Sequence, residues 1–181
     1  FCRPNETRLG RGTDLQALLT PEQLAALKGA AHPLHWVSSD VMTQRLAALR
    51  SYFIEELNIE EVDPESFARL LSATYLQDQP DSWMVRFYGF LRSQRGLWGA
   101  AGREYYGARA GILRSKPIIR LNDGSHVAPF GPDGRPQVYL PVEEGEESPG
   151  DLPMASDAIA FDTLARAFLE KDLELPAPDE V

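Results

Sequence analysis

The side chains that could do chemistry are few in this chain, and they are widely separated. It has three histidines and one cysteine, Cys2. His32 and His35 lie on either side of a proline turn, far along the chain from Cys2, which is not a spacing that binds zinc. No Gly-x-Ser-x-Gly or Ser-x-x-Lys pattern marks a serine nucleophile. The sequence therefore predicts no metal site.

One pair of residues has the composition of a base and its orienting group. Asp123 and His126 could pair across a short turn. An Asp followed by Gly124 is, however, explained by the geometry of the turn alone. We therefore predict no catalytic residues and no enzymatic activity for this chain by itself.

Cations are concentrated between residues 86 and 120. This stretch has eight of them against one anion, Glu104, although the net charge of the whole chain is -9. Two interpretations stay open: solvated helix faces, or a patch that binds phosphate or an acidic partner. The candidate patch consists of Arg86, Arg92, Arg95, Arg103 and Arg109.

Phosphate-binding loops are absent from the sequence. It has neither a Walker motif nor Gly-x-Gly-x-x-Gly, so we predict no cofactor for this chain. Its net negative charge argues against nonspecific DNA binding by the whole surface. No apolar run reaches the roughly 18 residues of a membrane helix. One cysteine cannot form an internal disulfide, which favours the cytoplasm.

Periodicity predicts several helices before residue 117. Thr20-Pro21-Glu22-Gln23 has the form of a capping box with proline at the first helical position. Leu46, Leu49, Phe53 and Leu57 recur every three or four residues, which predicts one buried stripe on a helix over about 43–58. A helix capped by Asp81 should have an apolar face that forms the centre of the core. That face comprises Trp83, Phe87, Phe90, Leu91 and Trp98.

Strand and turn signals follow Pro117. Residues 118–121 and 126–130 flank the turn Asn122-Asp123-Gly124-Ser125, and residues 137–140 follow a second turn, which predicts a three-stranded meander. Residues 158–161 are a candidate last strand. The final helix should place Leu164, Phe168 and Leu169 inward.

These elements predict the α+β class, with four to five helices packed on a small, mainly antiparallel sheet. We expect one domain over residues 14–173 after an irregular N-terminal segment, 1–13, and before an acidic tail, 174–181. The parts of that domain are a helix-rich region (14–116), a β-meander (117–141), an acidic loop (142–152) and a final strand and helix (153–173). Phe1 stands where an initiator Met would be expected, which favours a segment of a longer protein.

The stretch from Ser115 to Phe130, SKPIIRLNDGSHVAPF, is similar to a known pattern, as are GRPQVYLP at 134–141 and SWMVRFY at 82–88. It resembles a segment of large bacterial proteins that begin with a sacsin-type GHKL ATP-binding domain, related to heat-shock-90 chaperones. The resemblance covers roughly residues 30–181. The ATP-binding motifs of that family have no counterpart in this chain.

The resemblance implies an ATPase as the parent protein, with ATP bound outside this segment. The expected function is a non-catalytic structural and interaction module that couples an upstream ATP-binding domain of the same polypeptide to a partner or protein client. The alternative is a nucleic-acid- or phosphate-contacting module of a defence-type ATPase that uses the arginine-rich region 86–120. Arginines clustered on one face would favour the alternative, whereas arginines paired with acids would favour the first.

Overall fold

The computed structural model describes residues 2–11, 14–38, 47–100, 110–142 and 152–178. The chain divides into two compact units, residues 1–70 and 71–181, where the sequence predicted one domain over 14–173. Its α+β class is confirmed.

The strands are β1 (Thr7–Gly10), β2 (His35–Trp36), β3 (Glu60–Val62), β4 (Ile119–Arg120) and β5 (His126–Val127). The α-helices are α1 (Asp14–Leu18), α2 (Pro21–Lys28), α3 (Ala47–Ser51), α4 (Pro64–Leu70), α5 (Ala73–Gln77), α6 (Asp81–Arg92), α7 (Arg95–Trp98), α8 (Asp157–Ala160) and α9 (Thr163–Ala167).

The first unit contains a parallel sheet with the strand order β2-β1-β3. The central strand, β1, lies within the segment 1–13 that was expected to be irregular, and its parallel pairing differs from the mainly antiparallel sheet that was predicted. Thr7 pairs with His35 and Leu9 with Glu61, so both partner strands are distant in sequence. Because β1 is only four residues long and pairs with distant strands, its own sequence gives little periodic signal from which a strand could be predicted.

Helix α2 forms as the capping box predicts. The Gln23 amide donates to Thr20 Oγ1 at 3.2 Å, and the Thr20 amide donates to Gln23 Oε1 at 3.0 Å. Pro21 occupies the first turn, and the helix ends at Gly29 in the left-handed conformation, with φ of 65°. These local signals determine both ends of the helix.

The helix that was predicted over 43–58 continues from α3 into a π-helical turn, Tyr52–Glu56. Residues 43–46, and with them Leu46, lie outside the described residues. None of the residues from Ala47 to Glu56 is buried. Leu49 and Phe53 are half-buried, so the prediction of a buried stripe is wrong. The amphipathic pattern is present, but the described residues do not bury its apolar face.

The second unit is centred on α6, which buries the aromatic face that the sequence predicted. Trp83, Phe87 and Tyr88 are at most 1% exposed, and the rings of Trp83 and Phe87 stack with centroids 5.2 Å apart. Phe168 packs against Tyr88 and Trp98 at centroid distances of 5.5 and 5.6 Å. The N-cap is Pro80, not Asp81, which lies in the first turn and binds Arg120 instead.

Strands β4 and β5 form the predicted antiparallel hairpin, with Arg120 opposite His126. Gly124 has φ of 80°, so the expected turn is confirmed. The third segment is attached by isolated bridges: Phe130 to Pro136, and Tyr139 in parallel to Met154. It therefore extends the hairpin less regularly than a meander would.

The C-terminal part differs from its prediction in three places. Residues 157–160 form α8, not a strand, because the Ala160 amide bonds back to the Ser156 carbonyl in the helical pattern. Leu164 is 53% exposed, whereas Phe168 and Leu169 are fully buried. The expected acidic tail packs against the unit at Leu175. This residue is 4% exposed, and its amide donates a hydrogen bond to the Leu169 carbonyl at 3.1 Å. Most of the expected acidic loop, residues 143–151, lies outside the described residues.

Candidate functional site

A polar cluster in the second unit is built around Arg120, a buried arginine on β4 that is 7% exposed. Its Nη1 donates to Asp81 Oδ1 at 2.7 Å. Its Nη2 donates to the carbonyl oxygens of Leu76 and Gln79 at 2.6 and 2.7 Å. Leu76 lies in the last turn of α5, and Gln79 lies just after this helix, where the chain leads into α6. The guanidinium thus joins β4 to the end of α5 and the start of α6.

Tyr88 connects the same strand to the middle of α6. Its hydroxyl donates to the Ile118 carbonyl at 3.0 Å and accepts from the Arg120 amide at 3.2 Å. Burial raises the pKa of Tyr88 well above its usual range, so the phenol stays neutral. A phenol with both functions engaged in backbone contacts has no free donor for a substrate.

His126 completes the cluster from β5. Its Nε2 accepts from Arg120 Nε at 3.3 Å, so the proton of the neutral ring belongs on Nδ1, which is buried without a hydrogen-bond partner among the described atoms. Burial, reinforced by Arg120 and opposed by Asp123, lowers the pKa of His126 to about 4. Such an imidazole is a weak base at neutral pH.

Asp123 does not orient His126. Its Oδ1 accepts from the Ser125 amide at 2.8 Å and from the Ser125 hydroxyl at 2.6 Å. These bonds lower the pKa of Asp123 and close the turn. The carboxylate therefore holds the hairpin tip, as the turn interpretation of the sequence expects.

Known proteins offer no assignment for this cluster. No family model matches the chain, and no significant match was found among curated proteins or solved structures. The function has to be argued from the geometry.

The candidate arginine patch is only partly described, because Arg103 and Arg109 lie outside the described residues. Arg86 and Arg92 are exposed on α6, six residues apart, which places them roughly 120° apart around the helix. Arg92 Nε pairs with Asp172 Oδ2 at 2.9 Å. Arg95, also exposed, begins α7. The three described members thus occupy two helices and more than one direction.

The neighbouring cations of the 86–120 stretch make specific contacts. The Arg114 guanidinium lies over the Phe130 ring, 3.7 Å from its centroid. Burial lowers the pKa of Arg114, and Glu174 opposes that shift. Lys116 Nζ donates to the Leu71 carbonyl at 2.9 Å. Together with Arg120, these residues stabilise the fold of the unit. The number of cations in the sequence could not show that these three have structural contacts.

Across the described ranges, no group of three or more His, Cys, Asp or Glu side chains is arranged to hold a metal ion. In the same ranges, no helix combines the length and apolar character that crossing a membrane requires.

Sequence reasoning missed Arg120 as the centre of the site. The signal was a single arginine within an otherwise apolar β run, Ile118-Ile119-Arg120-Leu121. A charged side chain in such a run is either on the solvent face or buried with partners. The partners, Leu76, Gln79 and Asp81, are contributed by elements far along the chain, so the sequence could not distinguish the two cases.

Proposed function

We propose that this chain is a non-catalytic structural and interaction module of a larger chaperone-like ATPase, which couples an upstream ATP-binding domain to a partner or client. The observation that carries the proposal is the engagement of Arg120. Its guanidinium is bound by Asp81, two backbone carbonyls and His126, so the strongest candidate for a reactive cluster stabilises the fold.

The link to a sacsin-like or heat-shock-90-like parent rests on the resemblance of residues 115–130 and 134–141. ATP would then bind in that parent domain, and this chain would carry no cofactor of its own. A cytoplasmic location belongs to the same proposal, and it agrees with a single exposed cysteine, Cys2.

Exposed apolar side chains support the interaction role. Tyr52, Phe161 and Leu164 are 50%, 40% and 53% exposed. Exposed aromatic and other large apolar side chains are common contacts in protein interfaces, particularly when they lie close together.

The alternative, a phosphate- or nucleic-acid-contacting module, has less support. Arg92 is engaged by Asp172 and Arg120 by Asp81, so two of the cations of the 86–120 stretch are paired with acids. Salt-dependent binding would be expected if the stretch served phosphate.

Calorimetric titration of the isolated chain with Mg-ATP tests the proposal. We expect no binding heat at ATP concentrations up to about 1 mM, because the chain has no phosphate-binding loop. A dissociation constant in the micromolar range would overturn the non-catalytic assignment.

A parallel titration with duplex DNA at two salt concentrations tests the alternative. Tight binding that weakens steeply with salt, and that is lost in an Arg86→Ala/Arg95→Ala variant, would favour the phosphate-contacting function. An unchanged, salt-insensitive background would favour the interaction module.

A further inference from the structure

A helical segment in the first unit carries an apolar stripe that the described residues cover only in part. It consists of α3 and the π-helical turn, and its stripe comprises Leu49, Tyr52, Phe53 and Leu57. Their spacing of three or four residues places them on one side of the helix. We call this side the 47–57 face.

Exposure along the 47–57 face is unusual for so apolar a sequence. Tyr52 is 50% exposed, and Leu49, Phe53 and Leu57 are only half-buried. An amphipathic helix owes most of its stability to the burial of such a stripe. Within the described residues this burial is incomplete, most of all at Tyr52, so another molecule could complete it.

The segment nevertheless contacts the sheet and the residue before β3. Arg50 forms an ion pair with Glu61 on β3, and the Ile59 amide donates to the Phe53 carbonyl at 2.9 Å. Both contacts position the helix without covering its apolar side. The 47–57 face is therefore presented by the fold of the unit.

Charge decides which kind of partner fits. Glu55 and Glu56 are exposed at the end of the face, and within the described part of the chain neither forms an ion pair or hydrogen bond. The cation on the same segment, Arg50, is already neutralised by Glu61. The whole chain has a net charge of -9. An apolar stripe that ends in free carboxylates complements a helix with an apolar side and basic flanks.

We propose that the 47–57 face binds a basic amphipathic helix of a partner protein, with Tyr52 as its central contact and Glu55 and Glu56 as its charge-selecting residues. Tyrosine suits this position because its large ring loses few rotamers on binding, and it is enriched among residues that dominate interface energies. The inference names the partner chemistry of the interaction role proposed above, and it rests on that role.

The test is a titration of the full 181-residue chain with synthetic peptides, followed by amide chemical shifts. The probe is a Lys/Leu amphipathic helix of about four turns. Its controls are a scrambled peptide of the same composition and a Glu/Leu helix with the charges reversed. We expect the probe to bind and to shift the amides of residues 47–57, and we expect both controls to bind at least about tenfold more weakly.

Two variants examine the face itself. Tyr52→Ala and Glu55→Gln/Glu56→Gln should each weaken the probe by about tenfold or more. Leu164→Ala, an equally exposed apolar residue in the second unit, is the matched control and should change binding less than about twofold. Circular dichroism would verify that all three variants keep the wild-type fold.

Four outcomes would overturn the proposal. They are equal binding of the scrambled peptide, shifts that map outside residues 47–57, binding of lipid vesicles in place of the peptide, and a Tyr52-dependent dimer in light scattering. The ATP titration fails or succeeds independently. A chain that binds neither ATP nor the peptide would refute this face but not the non-catalytic module.

Discussion

Helix α6 and the helical segment from Ala47 to Glu56 carry similar sequence patterns and have opposite surroundings. Both place apolar side chains at intervals of three or four residues. Helix α6 buries six side chains, among them Trp83, Phe87 and Tyr88, whereas the 47–56 segment buries none. Periodicity thus identifies which side of a helix is apolar, but whether that side is covered depends on residues elsewhere.

The largest test of this contrast replaces one apolar residue in each region. Phe87→Ala should lower the free energy of unfolding by about 3–5 kcal/mol, because Phe87 is fully buried and its loss leaves a cavity. Leu49→Ala should lower it by only about 1 kcal/mol, because its side chain is half-buried and loses less contact area than Phe87 does. Chemical denaturation of both variants measures the difference.

Equal losses in the two variants would contradict the contrast. They would mean that the 47–57 face is covered in solution. A Leu49→Ala variant as destabilised as Phe87→Ala would therefore also remove the basis for a docking surface there.

The buried arginine gives the second test. Arg120→Ala should lower the free energy of unfolding by about 2–4 kcal/mol, because the Leu76 and Gln79 carbonyls lose their charged donor and a cavity forms. Arg92→Ala, which breaks the more exposed pair with Asp172, should lower it by about 0–1 kcal/mol. Similar losses would mean that the Arg120 network contributes no more than a surface ion pair.

The same contrast separates the features that the sequence predicts from those that it does not. Signals confined to a few neighbouring residues predicted well: the Thr20 capping box, the left-handed Gly29 and the turn at Gly124 all form as expected. The buried face of α6 also followed from local spacing, because four of the five predicted apolar residues lie on this helix; the fifth, Trp98, is buried on α7. Much of the α+β class follows from these elements.

Features that depend on distant partners were not predictable in the same way. Strand β1 pairs with β2 and β3, and nothing in Thr-Arg-Leu-Gly itself requires a central strand. Arg120 is bound by residues about 40 positions away. The candidate patch of five arginines rests only on the number of cations in the 86–120 stretch. Such a number cannot separate arginines that stabilise the fold from exposed ones.

Acid should reveal the cost of burying His126 beside Arg120, since burial and then the Arg120 charge lower the pKa of this histidine. The pKa of His126 is lowered from 6.5 to about 4, so the unfolded chain binds the proton more readily than the folded one. The associated stability is complete above pH 6.5 and is lost as the pH falls towards 4. Because the ring is only partly buried and solvent screens it, we expect a loss of about 1–2 kcal/mol over this range.

A comparison with His126→Gln isolates that contribution. Glutamine can still accept from Arg120 Nε but does not titrate, so its unfolding free energy should vary less between pH 6.5 and 4. Asp63, whose pKa is lowered by its hydrogen bond to Ser66, contributes the same acid dependence to both proteins. Parallel pH profiles for the two proteins would mean that the titration of His126 contributes nothing to the acid dependence of stability.

The smallest expected effect concerns Gly89, a half-buried position on α6. Gly89 lies in the interior of this twelve-residue helix, where glycine costs about 0.5–1 kcal/mol relative to alanine. A Cβ there would meet only Leu164 Cδ1, at 4.0 Å, which is an ordinary contact. Gly89→Ala should therefore raise the free energy of unfolding by about 0.5–1 kcal/mol. Gly111→Ala is the opposite control, since its Cβ would lie 2.2 Å from the Leu97 carbonyl carbon and must displace backbone. A destabilised Gly89→Ala variant would mean that the half-buried side of α6 is packed as closely as its buried side. The contrast in burial between α6 and the 47–56 segment would then not follow from which side of each helix is apolar.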